Sequence, residues 1–288
     1  MHFREAKGIL SAKGGMNISR GCTHGCIYCD SRSKCYRMDH DFEDVQIKSN
    51  APPLLEDALR RKRKKSMIGT GAMSDPYIPL PENLAIIRAC LEIIDRYGFG
   101  LAIQTKSDLI LRDLDLLVSI NKKAKCIVET TLTTFDEDLC KKIEPNVCTT
   151  RRRFEVLKIM RDKSIQTIVW LCPFLPFIND TEENLRGLLD YCIEAGVYGI
   201  LNWGIGMTLR EGNREYFYSK LDEHFPGLKN RYQKKYDLNY IISSDNNAPL
   251  MQLFFETCDR HKIVHGNDTL FEYMRTFEDR DNVQMELF

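Results

Sequence analysis

From residue 66 onward the chain alternates between two rhythms. Short runs of apolar and β-branched residues end in small or polar ones, and longer stretches carry apolar residues every three or four positions. SMIGTGAMSD precedes PENLAIIRACLEIIDRYG, in which Leu84, Ile87, Leu91 and Ile94 mark one helical face, Pro81 opens the helix and Gly98 closes it. GLAIQTK leads into SDLILRDLDLLVSINKKAK, with Ser107 placed as an N-cap. KCIVETTLTT is followed by DEDLCKKIEP and a second helix around RRRFEVLKIMRDK. IQTIVWLCPFLP precedes TEENLRGLLDYCIEAGV, and YGILNWGIG precedes a helix near EYFYSKLDEHF. With an earlier strand in GGMNISRG and a helix in LLEDALRRKRKK, the pattern predicts six βα units.

Eight such units close a full barrel, so six predict an α/β fold that is a partial (β/α)6 TIM-type barrel. The loops beyond the carboxyl ends of parallel strands gather at one mouth, where ligands bind. Past residue 225 the rhythm is lost: LKNRYQKKYDLNY, a polar SSDNN turn and the helix APLMQLFFETCDRHK follow. The expected organisation is a barrel over 1–225 and a C-terminal helical extension with a flexible tail over 226–288, too small to bury a core alone.

Composition changes this picture little. Apolar residues make up 43% and charged residues 28%, as in ordinary globular chains. No run of 18 apolar residues occurs and MHFREAKGIL lacks the apolar core of a signal peptide, so the expectation is a cytoplasmic protein without membrane contact. Formal net charge is zero, which removes a global signature of nucleic-acid binding but leaves room for a local basic groove. The run RRKRKK (Arg60 to Lys65) ends a helix and precedes a strand, which predicts solvated cations on the bottom face, favoured by the helix dipole.

The cysteines change the picture more. Three of eleven fall in RGCTHGCIYC, as Cys22, Cys26 and Cys29, directly after the first strand and therefore at the mouth. Clustered thiols in a reducing compartment point to metal or redox chemistry. Structural zinc wants four ligands, generally two separated pairs, and no second CxxC occurs. His24 lies too close to its neighbours to complete a tetrahedron easily. A four-iron cube accounts better for three thiolates, since it keeps one iron open for a small molecule.

C-x3-C-x-aromatic-C, with Tyr28 as the aromatic, resembles the motif of radical S-adenosylmethionine (SAM) enzymes. The resemblance continues through GTGAMSDPYIPLPE, IQTKS, ETTLTTFDEDLCKKIEP, PFLPFIND and HFPGLKNRY, which are similar to the spore photoproduct lyase-like branch, over roughly residues 10 to 235. It implies a [4Fe-4S] cluster on Cys22, Cys26 and Cys29 in the loop at 20–30, and SAM chelated by the open iron. It also implies a flavodoxin- or ferredoxin-type electron donor. One electron then splits SAM into methionine and a 5′-deoxyadenosyl radical that takes hydrogen from a substrate, the cofactor carrying the difficult chemistry.

The resemblance further assigns cofactor contacts. Ser74 and Asp75 stand where the superfamily holds the methionyl amino group, a Ser-Asp-Pro turn also serving as mere punctuation, and Lys106 ends the third strand as the candidate for the methionyl carboxylate, with a solvated strand end as the alternative. Glu129 and Thr131 end the fourth strand, within reach of ribose hydroxyls or of the barrel rim's own backbone. Tyr28 packs its ring toward the adenine, its backbone meeting the base edge. Cys172 reaches the mouth on the fifth strand and is the candidate hydrogen donor, though a strand cysteine also serves as a small core hydrophobe. Spore photoproduct lyases carry a cysteine after strand two where GTGAMSDPY has none, a departure that bears on photoproduct repair. Trp203 and Met207 are candidates for the substrate pocket or for core packing, and Cys35 for a spare thiol. The final QMELF resembles the peptide by which bacterial repair proteins dock on the sliding clamp, through Gln284, Leu287 and Phe288. The leading reading is a radical SAM enzyme acting on nucleic acid; a protein or small-molecule substrate, or a non-enzymatic iron–sulfur or zinc module, are the alternatives.

Overall fold

The structure, a computed structural model, describes residues 1–280. The chain enters through short strands β1 (His2–Arg4), β2 (Gly15–Met16), β3 (Ser19–Arg20) and β4 (Gln46–Lys48), then helix α1 (Ala51–Arg61). Regular units follow: β5 (Met67–Thr70), α2 (Pro81–Tyr97), β6 (Gly100–Gln104), α3 (Leu114–Lys123), β7 (Cys126–Thr131), α4 (Glu137–Ile143), α5 (Thr150–Asp162), β8 (Gln166–Trp170), α6 (Glu182–Ala195) and β9 (Gly199–Leu201). β10 (Gly206–Thr208), α7 (Asn213–His224), α8 (Leu228–Tyr236), β11 (Ile241–Ser243), α9 (Asn247–His261) and α10 (Asn267–Arg275) complete the described chain.

Six strands pair in parallel in the order β2-β5-β6-β7-β8-β9, the predicted partial barrel, with β2 and β9 left as its two edges. β1, β4 and β3 form a small separate sheet beside the cysteine loop, and β10 pairs antiparallel with β11. Local signals set the helix ends. α2 begins at Pro81 and stops at Gly98, which takes the left-handed φ of 66° that a glycine C-cap supplies. Asp136 caps α4 by accepting from the Asp138 and Leu139 amides, and Thr181 caps α6. Ser107 does cap, but onto a 3₁₀ segment over Asp108–Asp113 that precedes α3.

Strand alternation sorts the core into an outer and an inner part. Outward-facing Ile68, Leu101, Ile103 and Val128 pack with Leu55, Leu91 and Leu117 of the surrounding helices, and Val169 and Ile200 with Leu188 and Phe254. Inward-facing Met67, Ala102, Ile127, Ile168 and Leu201 meet Leu270 and Met274 of α10. The C-terminal extension thus fills the barrel below its mouth, a contact between distant segments that periodicity cannot predict. Lys125, fully buried, ties it down by donating to the Tyr273 carbonyl (2.8 Å) and pairing with Glu278 (2.9 Å). The basic run only partly matches the expectation of solvated cations on the bottom face: Arg60 and Arg61 end α1 paired with Asp57, but Lys62 lines a cavity inside the barrel.

Candidate active site

The cysteine loop is gripped from both sides by backbone. Cys22 N donates to Phe42 O (2.9 Å), an approach that Gly21 permits because it has no Cβ and takes φ +84°. From the other side the turn after α4 clasps it: Ile27 N donates to Ile143 O (3.0 Å), Asn146 N to His24 O (3.1 Å) and Asn146 Nδ2 to Thr23 O (2.9 Å). At Gly25, φ +72°, a Cβ would sit 3.0 Å from Pro145 and 3.1 Å from Asn146, so the clasp also requires glycine. The IEPN segment was visible in the sequence, but nothing there assigned it this role.

The three thiols fit a cluster better than a single ion. Tetrahedral zinc at ~2.3 Å from each sulfur needs sulfurs about 3.8 Å apart. A four-iron cube instead takes each thiolate on a separate iron, so the three sulfurs stand farther apart and one corner stays open. They nonetheless share one environment: Cys29 adds to the rise in pKa of both Cys22 and Cys26. Burial pushes Cys26 up to about 12 and Cys22 higher still, so free thiolates are disfavoured there and bound iron would supply the missing charge. His24 does not offer a fourth ligand. It is buried, its Nδ1 stands 3.5 Å from Asp75, and burial holds its pKa below the usual range.

Around the loop, polar side chains are engaged with one another. Ser74 Oγ donates to Gly21 O (2.6 Å) and bonds Ser19 Oγ (2.9 Å), joining the loop after β5 to the start of the cysteine loop. Asp75 accepts from Tyr77 N (2.8 Å), Thr105 Oγ1 (2.6 Å) and Lys106 N (2.8 Å), which fixes the end of β6. Lys106 stands with Nζ 5.8 Å from the Tyr28 ring. Burial works against its charge, but Cys26 and Glu144 outweigh it and raise its pKa. The Tyr28 hydroxyl donates to Glu144 and bonds Thr133 (3.1 Å), and its ring is buried in the core cluster beside the loop.

Glu144 and Arg153 were missed from sequence. Arg153 is 1% exposed; its Nη1 pairs with Glu144 (2.6 Å) and donates to Thr131 O (3.1 Å), and its Nη2 donates to Cys148 O (2.7 Å). Burial would raise the Glu144 pKa, but Arg153 and Lys106 hold it down, so it stays a carboxylate behind Tyr28. Three consecutive arginines in a helix carry no signal of which one points inward; only the packed fold selects Arg153.

Inside the barrel the surroundings change. Gln104 and Glu129 are register partners across β6 and β7, and Glu129 Oε2 accepts from the Trp170 indole (2.6 Å). Burial, only partly opposed by that bond, lifts the Glu129 pKa to about 7. A cavity of about 630 Å³ opens here along the gap between β2 and α10, walled by Gln104, Glu129, Trp170 and Phe271, with Lys13, Lys62 and Arg275 among its lining residues. Thr131 lies at the last position of β7, two residues nearer the mouth than Glu129. Cys172 follows β8, half-buried, its thiol pushed up to about 12 by burial. Trp203 is 54% exposed, 5.3 Å from Trp170 and 6.1 Å from Phe271 between ring centroids. Met207 is buried in the cluster that backs Tyr28, and Cys35 is exposed with Arg210 at 3.3 Å from its sulfur. Gln284, Leu287 and Phe288 lie outside the described residues. No helix among the described residues is long and apolar enough to cross a membrane.

An uncharacterized protein of Mycobacterium tuberculosis is 29% identical over 227 residues, covering 77% of this chain and 66% of its own length, so the chain spans just under two thirds of that relative. An uncharacterized protein of Methanocaldococcus jannaschii is 32% identical over 176 residues, 60% of this chain and 65% of the relative. Among solved structures, a spore photoproduct lyase mutant superposes with TM-score 0.64 at 12% identity, covering 92% of this chain and 79% of that one. The radical S-adenosylmethionine methyltransferase TsrM from Kitasatospora setae, with cobalamin and a [4Fe-4S] cluster bound, gives 0.58 at 13% identity, covering 87% and 54%. At such identities the likeness is one of fold. The family model of the Radical SAM superfamily matches residues 16–192, more than half of the chain and the whole span from β2 into α6, and the protein belongs to that superfamily, whose cofactors are a [4Fe-4S] cluster and SAM.

Proposed function

We propose that this enzyme applies radical SAM chemistry to a base in nucleic acid, repairing or modifying it. When bound and reduced by an external electron donor, the cluster and SAM supply a 5′-deoxyadenosyl radical that removes a substrate hydrogen. Cys22, Cys26 and Cys29 would hold the irons. Lys106 is the cation suited to the methionyl carboxylate, with Ser74 and Asp75 keeping its strand end and the cysteine loop in register. The Tyr28 backbone is left for the adenine edge, and Thr131 for a ribose hydroxyl.

The observation that carries the substrate assignment is the barrel cavity. Its volume is that of a small-ligand pocket. Trp170 and Phe271, 6.1 Å apart and edge to face, offer ring surfaces on which a base can stack. Gln104 and Glu129 present an amide beside a carboxyl that exchanges its proton near neutrality, a pair that both donates to and accepts from a base edge. Lys13, Lys62 and Arg275 supply the cations that a phosphate backbone requires, within a chain of zero net charge. Cys172 keeps its hydrogen on sulfur because burial disfavours the thiolate, as a hydrogen donor to a product radical requires. A spore photoproduct lyase of this fold binds AdoMet and dinucleoside spore photoproduct, with TM-score 0.57 and 12% identity. Here Ala72 lines the cavity within the loop after β5, so reversal of that photoproduct by a thiol from this loop is not part of the reading.

The test uses anaerobically reconstituted protein with single- and double-stranded DNA and RNA. Binding at low salt that weakens as salt rises, and release of 5′-deoxyadenosine accelerated by the bound oligonucleotide, are expected. Neither binding at low salt nor acceleration by any strand would remove nucleic acid as the substrate.

A further inference from the structure

A second cluster of metal-binding side chains lies beside the cysteine loop and takes no part in the chemistry above. β1 runs parallel to β4 with His2 opposite Gln46, and the segment leading into β4 brings His40 and Asp44 to the same place. One ligand atom each from His2, His40 and Asp44 falls within 4.8 Å of the others, the only such trio among the described residues. The imidazoles meet edge to face, 4.9 Å between centroids and 86° between planes.

The protonation pattern points to an ion. His40 Nδ1 is 2.9 Å from Asp41 O, a carbonyl that only accepts, so Nδ1 is the donor there and in the neutral ring Nε2 has the lone pair. That Nε2 is buried and has no partner. A histidine whose far nitrogen donates to a carbonyl while its near one offers a free lone pair has the outer contact of a metal ligand. His2 Nδ1 is 2.9 Å from Asp44 Oδ2, and His2 Nε2 is 3.0 Å from Gln46 Nε2. The second Asp44 oxygen faces the Met1 amino group at 2.9 Å.

We propose that His2, His40 and Asp44 bind one divalent transition-metal ion, with zinc the best match, as a structural clip. Two imidazole nitrogens, a carboxylate oxygen and a water are a suitable donor set for tetrahedral zinc. Bond lengths of about 2.0–2.1 Å require donors about 3.4 Å apart, so the trio closes by an ångström or so, within the freedom of the half-buried loop that carries His40. His2 ligates through Nδ1, its proton moving to Nε2, where the Gln46 amide turns its oxygen to accept it. The metal then replaces the proton between His2 and Asp44 and occupies the unsatisfied lone pair of His40.

The consequence falls on the neighbouring loop. The segment between His40 and Asp44 contains Phe42, whose carbonyl holds Cys22 N, and Arg20 Nη2 donates to Tyr36 O just upstream (2.7 Å). A clip from β1 to this segment fixes the cover of the cysteine loop. It does not depend on the substrate.

The test uses the cluster-loaded protein, incubated with zinc and passed through gel filtration. Elemental analysis should find one zinc per chain in the wild type and a higher melting temperature than in the zinc-free protein. His40→Gln and Asp44→Asn should each weaken zinc binding at least 100-fold with iron content unchanged. X-ray absorption at the zinc edge should report only nitrogen and oxygen neighbours. Wild-type protein that retains no zinc, variants that retain as much as wild type, or sulfur neighbours at the zinc would each overturn the proposal. If His40→Gln does not fold by circular dichroism, Asp44→Asn and the absorption spectrum decide it.

Discussion

The mouth and the interior of this barrel treat buried polar groups in opposite ways. At the mouth, Ser74, Asp75, Tyr28, Glu144 and Arg153 direct their polar atoms at each other, at neighbouring side chains or at backbone, the buried Arg153 Nε alone among them lacking a partner, so that the cysteine loop, the end of β6 and the turn after α4 form one bonded frame. In the cavity, Glu129 has the Trp170 indole as its bonded neighbour and a pKa lifted toward neutrality by burial. Groups whose hydrogen bonds are satisfied position other groups; groups with capacity left over are the ones that meet a ligand. On the proposed reading, rigidity belongs to the cluster end and recognition to the cavity end.

The largest expected effect is at the mouth. Cys26→Ala leaves two thiols for the irons, and the reconstituted variant should lack the cluster's visible absorbance and release no 5′-deoxyadenosine above background. A variant that still splits SAM would mean the frame holds a different centre. Next in size is Arg153→Met. Removing one member of a buried ion pair costs about 3–5 kcal/mol, because the other is left charged and unpaired. Glu144 would be that residue, so denaturant unfolding should shift by this amount and the cluster should be lost faster. Stability unchanged within ~0.5 kcal/mol, the range of ordinary surface substitutions, would show that the frame does not depend on this pair.

How much of this was legible differs between the two ends for a physical reason. Strand and helix periods, Pro81 and Gly98 as helix limits, and the cysteine spacing are local properties, and the six-stranded parallel sheet with Cys22, Cys26 and Cys29 at its mouth follows from them. Arg153 and Glu144 were not legible. A charged residue on a helix reads as solvent-facing by default, and what buries Arg153 is the combined packing of α5 against β7 and the clasp at residues 143–146. The cavity wall was half legible. Glu129 and Trp170 lie on inward positions of predicted strands, but Phe271, Met274 and Arg275 arrive from α10, some 100 residues later in the chain than β8, through a docking that no periodicity encodes.

Glu129 carries the same contrast into pH dependence. A carboxyl whose pKa rises on folding contributes stability that is complete below its unfolded value, near 4.5, and is lost as pH climbs through its folded value, about 7. A rise of that size corresponds to about 3 kcal/mol. Glu129→Gln keeps an oxygen for the Trp170 indole and removes the charge. Wild type and variant should therefore be similarly stable near pH 4.5, and the variant should become the more stable by roughly 3 kcal/mol above pH 7. Denaturation midpoints across this range measure it, and parallel profiles for the two proteins would mean that the cavity solvates Glu129 as well as water does.

The smallest effect expected is also the one that separates recognition from framing most cleanly. Lys13 and Lys62 line the cavity, and the salt bridges of the mouth do not include them. If they meet phosphates, each contributes a released counterion, and Lys62→Ala should lower the slope of log affinity against log salt by about 0.9 for a duplex or about 0.7 for a single strand. The double variant Lys13→Ala/Lys62→Ala should lower it by twice that amount, while cluster content and unfolding midpoint stay at wild-type values. A structural role would move the midpoint and leave the slope; a phosphate contact moves the slope and leaves the midpoint. The two readings therefore predict changes in different measurements on the same variant, and a variant with neither change would take both lysines out of the binding surface.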